Sequence, residues 1–290
     1  QPSHTTSGQM PRGAARHQPG TTRLAFVVPP RIGSDNPALP PQRFCFMSAS
    51  ETTDPTAAPA PVSLADVVAT HGSVLVLDPC TIQVQAGLLR SGHSPIWHTG
   101  GDDSSVHLFA AVQTCLTAAG LKPSQVGAYV FCDGPGSQLG IRTAAMALRT
   151  WQTLRATPAP VFTYRSLLLA ALTHARQQPG PFAVVADARR DSWHAVRITV
   201  EGTASPVLRV SRAELAGWTE PLFTPAGFRA WAQPPRPAAT CAYDCAAMTA
   251  ALGALPLLLA TTTEPEPWLS APITYQTWTG QRHRAAAPSP

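Results

Sequence analysis

Short apolar runs alternate with helix-spaced apolar positions from about residue 73 onward. SVLVLD (73–78) and VGAYVFCD (126–133) are continuous, which is typical of strands buried on both faces. TIQVQAGLL (81–89) instead alternates between apolar and polar residues, as a half-buried strand does. Strands and helices in this succession predict an α/β layer fold.

Two amphipathic helices are predicted, at about 104–119 and 139–155, and each has an apolar stripe at helical spacing. Further along the chain the pattern predicts strands at 159–164, 182–190 and 192–200, with a helix at 166–176 between the first two. After residue 201 proline interrupts the short elements, and an Ala-rich helix is expected around 245–255. This distribution predicts a second half that is smaller and less regular.

Residues 1–70 hold much of the proline and show no apolar periodicity beyond LAFVVPPRI (24–32). Such a segment buries too little apolar surface to offset the entropy of ordering it, so we expect a disordered extension. Its apolar run is too short for a membrane span, and it lacks the cleavage site of a signal peptide. Met47 is the expected initiator, and the cytoplasm is the expected compartment.

Charge and cysteine content narrow the classes of function. The net charge of +5 is concentrated at the N-terminus, where the first 46 residues carry five arginines against one acidic residue. The nearly neutral remainder argues against an RNA-binding module. The six cysteines are too few and too scattered for a disulfide framework, so we expect free buried thiols, with Cys241 and Cys245 on a helix.

The stretch CDGPGSQLGIR (132–142) joins a predicted strand to a predicted helix. It has no lysine, so it is not a Walker A loop, and its G-x-G-x-x-x-G spacing is one residue longer than the dinucleotide fingerprint. Two interpretations follow: an anion cradle on a helix N-terminus, or a bend that turns the strand into the helix. We favour the bend.

GPGSQLGIR (134–142) resembles the GPGSFTG-[LV]-R signature of the TsaB family, a subunit of the bacterial machinery that makes threonylcarbamoyladenosine on tRNA. LVLDPCTIQVQAGLL (75–89) is similar to the family's opening strand and hairpin, and VVADARRDSWHAVRI (184–198) to its D-A-R-x-x-E-V-Y block. EPEPWLSAPITY (264–275) faintly resembles its closing segment. The resemblance covers about residues 73–285.

The resemblance implies a duplicated, actin-like (ribonuclease H-like) α/β fold with lobes at 71–178 and 179–290. It also implies a non-catalytic scaffold that heterodimerises with a TsaD-type catalytic subunit, with no catalytic or metal-binding residues of its own. A TsaE-type ATPase is a further expected partner, a homodimer is expected when the chain is alone, and tRNA is expected only through the complex. ATP or ADP with Mg²⁺ is expected only at the level of the complex, and no membrane contact is expected.

The residues singled out by the resemblance are those of the signature and two acids at strand ends. They are Gly134, Pro135, Gly136, Ser137, Gly140, Arg142, Asp78 and Asp187. The alternative function is an actin-like ATPase or transferase that uses the two acids and the Gly134–Gly140 turn around ATP. The competing interpretation pairs Asp187 with Arg189 or Arg190 in a structural ion pair. The family's Asp-Thr turn is replaced here by Asp78-Pro79.

The two amphipathic helices are the predicted partner interface. Small residues at positions interpreted as outward-facing would allow a close four-helix contact with a homologous subunit. These residues are Ala110, Ala111, Ala118, Ala145, Ala147 and Thr150. On this interpretation Ala147→Glu is expected to abolish partner binding without changing the thermal melt.

Overall fold

The computed structural model describes residues 62–101, 104–247 and 259–270. The helices are α1 (Leu64–His71), α2 (Ser104–Ala119), α3 (Gln138–Thr153), α4 (Ser166–Gln177) and α5 (Arg212–Ala216). The strands are β1 (Ser73–Asp78), β2 (Gln85–Arg90), β3 (Ile96–Thr99), β4 (Ala128–Gly134), β5 (Val161–Arg165), β6 (Phe182–Asp187), β7 (Ser192–Ile198), β8 (Leu208–Ser211), β9 (Leu222–Pro225), β10 (Ala238–Cys241) and β11 (Ala260–Thr262).

Six strands form the first sheet, in the order β11-β5-β4-β1-β2-β3. β1, β2 and β3 form an antiparallel meander, while β4 and β5 run parallel to β1. The two continuous apolar runs become the central strands β1 and β4, which are buried almost throughout. This confirms the sequence-based expectation for both.

The second sheet repeats this topology. Its order is β10-β9-β6-β7-β8, in which β6, β7 and β8 form the meander while β9 and β10 run parallel to β6. The repeat is the ribonuclease H-like motif in two copies, so the duplicated actin-like α/β fold is confirmed. The second copy is smaller, because α5 has five residues and no helix joins β9 to β10 in the described segment 226–237.

Helix α4 connects the two halves. It follows β5 of the first sheet, and its buried residues Leu167, Ala170 and Ala171 pack against Phe182 and Val196 of the second. Helices α2 and α3 lie together on the first sheet, where their inward faces contribute to its core.

Several sequence-based boundaries are corrected. Residues 62–70 were expected to be disordered, but α1 begins at Leu64, is capped by the Ser63 side chain, and buries Leu64 and Val67. Residues 260–262 were expected in the second lobe, yet they form strand β11, which pairs with β5 of the first sheet. Its three residues give no periodic signal, and only the long-range pairing reveals them.

Cys241 ends strand β10 and Cys245 lies in the turn that follows, so these residues are not on one helix. The rest of the expected Ala-rich helix, residues 248–258, lies outside the described residues, as do residues 1–61 and Cys45. Within the part of the chain that the structure describes, no helix has the length and apolar character to cross a lipid bilayer.

Candidate functional site

The signature turn packs tightly against the end of the first β-hairpin. Ser137 N–H donates to the Cys80 carbonyl oxygen at 2.9 Å, and the Ser137 side chain accepts from Gly140 N–H, capping α3. A Cβ on Gly136 would lie 2.5 Å from the Cys80 carbonyl oxygen, and Gly134 has φ of 119°. The glycines are therefore required by close packing and by a left-handed backbone.

Asp78 is fully buried beneath this turn. Its Oδ1 accepts from Cys80 N–H at 3.0 Å, and its Oδ2 accepts from the hydroxyls of Tyr164 and Tyr243. Burial raises the pKa of Asp78, and these donors only partly oppose the shift. The carboxylate faces protein donors, so it does not line the cleft beside the turn.

Asp187 does reach that cleft, but its oxygens are engaged by the backbone. Oδ1 accepts from Arg189 N–H at 2.6 Å, and Oδ2 accepts from Trp231 N–H at 2.7 Å and Ala232 N–H at 3.0 Å. The expected ion pair with Arg189 or Arg190 is wrong. The Arg189 guanidinium lies 3.8 Å from the ring centroid of Trp231 instead.

The cleft between the two sheets has a volume of about 420 Å³. The signature turn and the start of α3 form one wall, and the end of β6 with the segment around Trp231 forms the other. The structure thus brings Asp187 together with Pro135, Gly136, Ser137 and Arg142, while Asp78 stays apart.

The cleft is also lined by His194, Phe228, Arg229 and Trp231, none of which was selected from the sequence. Burial lowers the pKa of His194 to about 4, and its Nδ1 has no hydrogen-bond partner among the described residues. The pairing of β6 with β7 places His194 opposite Ala186. Alternation along β7 was the one signal that could have placed this histidine on the cleft side.

The predicted interface alanines divide into two groups. Ala110, Ala118 and Thr150 are exposed, as expected. Ala111, Ala145 and Ala147 are buried in the core of the first half, so their assignment to outward positions is wrong. The buried faces of α2 and α3 are wider than the stripes of apolar residues predicted from the sequence. Alanine is found in both buried and exposed positions, so its side chain does not mark the buried face.

The exposed side of these helices instead carries large apolar residues. Val106 and Phe109 on α2 are 59% and 46% exposed, and Leu139 and Met146 on α3 are 66% and 58% exposed. A groove of about 410 Å³ runs along this face. It is lined by Phe109, Arg142, Thr143, Met146, Ala147, Thr150 and Trp151. We call this surface the α2/α3 face.

Comparison with known proteins places this geometry in context. Residues 100–212 match the family described as TsaD: tRNA N6-adenosine threonylcarbamoyltransferase. The resemblance seen in the sequence is confirmed. The matched range covers less than half of the chain, and it includes α2, the signature turn and α3. No curated protein matches the sequence.

Among solved structures, the chain is similar to YeaZ from Pseudomonas aeruginosa, with 24% identity over 63% of this chain and 91% of that one and a TM-score of 0.48. A second is a protein described as similar to peptidase YeaZ from Pseudomonas aeruginosa, with 26% identity, 60% and 85% coverage and a TM-score of 0.43. A third is component A of (R)-2-hydroxyglutaryl-CoA dehydratase from Acidaminococcus fermentans, with 12% identity, 48% and 47% coverage and a TM-score of 0.30.

Proposed function

We propose that this chain is a non-catalytic subunit of the machinery that makes N6-threonylcarbamoyladenosine in tRNA. In this proposal it heterodimerises with a TsaD-type catalytic subunit and activates it. The α2/α3 face is the observation that carries the proposal, because it is a surface suited to another protein.

Large apolar side chains are costly to leave in water, and burying one contributes roughly 1.5–3 kcal/mol. Val106 and Phe109 on α2 and Leu139 and Met146 on α3 are exposed. Phe109 and Met146 line the groove, and Arg142 is the one charged residue in its lining. Clustered exposed apolar residues of this kind mark protein–protein contacts. A pair of helices from a homologous subunit would bury them in a four-helix contact.

Arg142 lines both the α2/α3 groove and the cleft beside the signature turn. A partner seated on the α2/α3 face would therefore border the cleft as well. We propose that ATP or ADP with Mg²⁺ enters only in that complex, where a TsaE-type ATPase and tRNA also join. The same face would form a homodimer when the catalytic subunit is missing.

A catalytic role for the chain alone finds little support in the site. The alternative ATPase needs Asp78 and Asp187 as magnesium ligands in the cleft. Asp78 is buried and does not line that cleft, and the Asp187 oxygens accept hydrogen bonds from backbone N–H groups. Ser137 carries the hydroxyl in the turn that could be considered as an acyl-transfer nucleophile, but its side chain caps the N-terminus of α3. The geometry thus favours a scaffold over an enzyme.

The test is a threonylcarbamoyl-transfer assay with a TsaD-type subunit, tRNA, and either this chain or a variant. Met146→Glu places a charge in the groove and is expected to abolish the stimulation by this chain. Val200→Glu changes an apolar residue that is 71% exposed on the second half, and it is expected to stimulate like the unaltered chain. Equal stimulation by both variants, or ATP hydrolysis by the chain alone, would contradict the proposal.

A further inference from the structure

Beneath the signature turn lies a buried cluster of thiols, hydroxyls and one carboxylate. Asp78, Cys80 and Cys132 each place a ligand atom within 4.8 Å of the other two, and all three residues are buried. The Cys80 and Cys132 sulfur atoms are 3.1 Å apart. The Cys245 sulfur atom lies 3.5 Å from the hydroxyl oxygen of Tyr164, which contacts Asp78. No step of the proposed scaffold role uses these groups.

We propose that Asp78, Cys80 and Cys132 bind a structural divalent cation of the thiolate-preferring class, with zinc as the expected metal. Cysteine thiolates and aspartate oxygens are both zinc ligands in proteins. Cys80 belongs to the Asp78-Pro79-Cys80 turn, which departs from the Asp-Thr turn of the TsaB family.

The distances fit a site that closes around the ion with a small movement. Zinc–sulfur bonds of about 2.3 Å in a tetrahedral site hold two sulfur atoms about 3.8 Å apart. The observed 3.1 Å requires the two thiols to separate by less than the length of one bond. It also exceeds the bond length of about 2.05 Å in a disulfide.

The surroundings supply what such a ligand set requires. Tyr164 and Tyr243 donate to Asp78 Oδ2, and outer hydrogen bonds of this kind orient a ligating carboxylate. Binding of a divalent cation by the two thiols would release their protons, and the charge of the cation would then balance the thiolates.

A disulfide between Cys80 and Cys132 is the competing outcome, and the burial of both residues argues against it. Forming it would release two protons and two electrons to an oxidant such as a peroxide, and both sulfur atoms belong to residues that are almost completely shielded from solvent.

The test measures metal in the full-length chain, purified under reducing conditions with zinc or cobalt supplied during refolding. We expect one equivalent of zinc to survive dialysis, and the cobalt form to show thiolate-to-metal charge-transfer absorption. Cys80→Ser and Cys132→Ser should lose both signals. Cys115→Ser is the matched control, because Cys115 is equally buried in the same half and is not part of the cluster.

The measurement on the unaltered chain does not depend on whether the variants fold. Absence of the cobalt absorption there overturns the proposal. So does a mass that shows the Cys80–Cys132 disulfide, two hydrogens lighter than the reduced chain. Retention of zinc by both Cys80→Ser and Cys132→Ser would also overturn it.

Discussion

The Tyr164 hydroxyl donates a hydrogen bond to Asp78 Oδ2, across 86 residues of sequence. This contact removes Asp78 from the cleft, where an actin-like ATPase would need it for magnesium. The acid at the end of β1 thus keeps its position in the fold and takes a structural role in the core.

Replacement of Asp78 should therefore act on stability. In Asp78→Asn the two tyrosine hydroxyls face an amide with a single acceptor oxygen, which leaves buried donors poorly paired at a cost of about 1–3 kcal/mol. Calorimetry should show a lower Tm. Asp191→Asn, an exposed acid in a left-handed turn position that asparagine tolerates, should melt like the unaltered chain. An unchanged Tm for Asp78→Asn would argue for a free carboxylate.

Introducing a glutamate at two neighbouring residues of α3 should change the free energy of unfolding by very different amounts. Ala147 is 5% exposed, so Ala147→Glu buries an unpaired carboxylate and should destabilise the fold by more than about 3 kcal/mol. The burial of Ala147 contradicts the sequence-based expectation that the thermal melt of this variant is unchanged. Met146→Glu, at a residue 58% exposed, should change the free energy of unfolding by less than about 1 kcal/mol. Urea unfolding measures the free energy of unfolding of both variants. Equal values for the two would show that Ala147 lies at the surface.

The close approach of Gly136 to Cys80 predicts a steric cost for any side chain. In Gly136→Ala the new Cβ would lie 2.5 Å from a carbonyl oxygen, so the turn must shift, at a cost of about 1–3 kcal/mol. Gly217→Ala is the matched control, because Gly217 has helical backbone angles and its Cβ would meet nothing closer than 3.5 Å. If Gly136→Ala unfolded at the same urea concentration as Gly217→Ala, the turn would be looser than described.

His194 should make stability depend on pH. Its folded pKa is lowered to about 4 by burial, with Arg209 adding to the shift and Asp187 opposing it. The unfolded chain takes up this proton below pH 6.5 while the folded chain does not, so stability falls as pH drops from 6.5 towards 4. The contribution is about 2 kcal/mol after allowance for partial exposure.

The measurement compares free energies of unfolding at pH 7 and pH 4.5. His194→Gln should lose about 2 kcal/mol less over this range than the unaltered chain. His93→Gln removes an exposed histidine and should follow the unaltered chain. Parallel pH profiles for His194→Gln and the unaltered chain would show that His194 is protonated normally.

The sequence predicted the regular elements of the first half well. α3 was expected at 139–155 and spans Gln138–Thr153, because its stripe of apolar residues is a local signal. The sequence could not predict contacts between distant residues. The Tyr243 hydroxyl bonds to an acid 165 residues away, and only the folded chain brings them together.

The predicted interface shows the same limit. Helical periodicity predicted α2 and α3 themselves, yet it could not tell which of their alanines face inwards, since alanine fits either environment. Large exposed residues such as Phe109 and Met146 were not among the predicted interface residues. Their positions became informative only when the sheet beneath α2 and α3 defined which side is buried.

The most direct test of the scaffold role is size-exclusion chromatography of the full-length chain with a TsaD-type subunit. We expect a stable complex that forms with Val200→Glu and does not form with Met146→Glu, while both variants retain the unaltered Tm. Separate elution of the unaltered chain, or a complex that survives Met146→Glu, would contradict it.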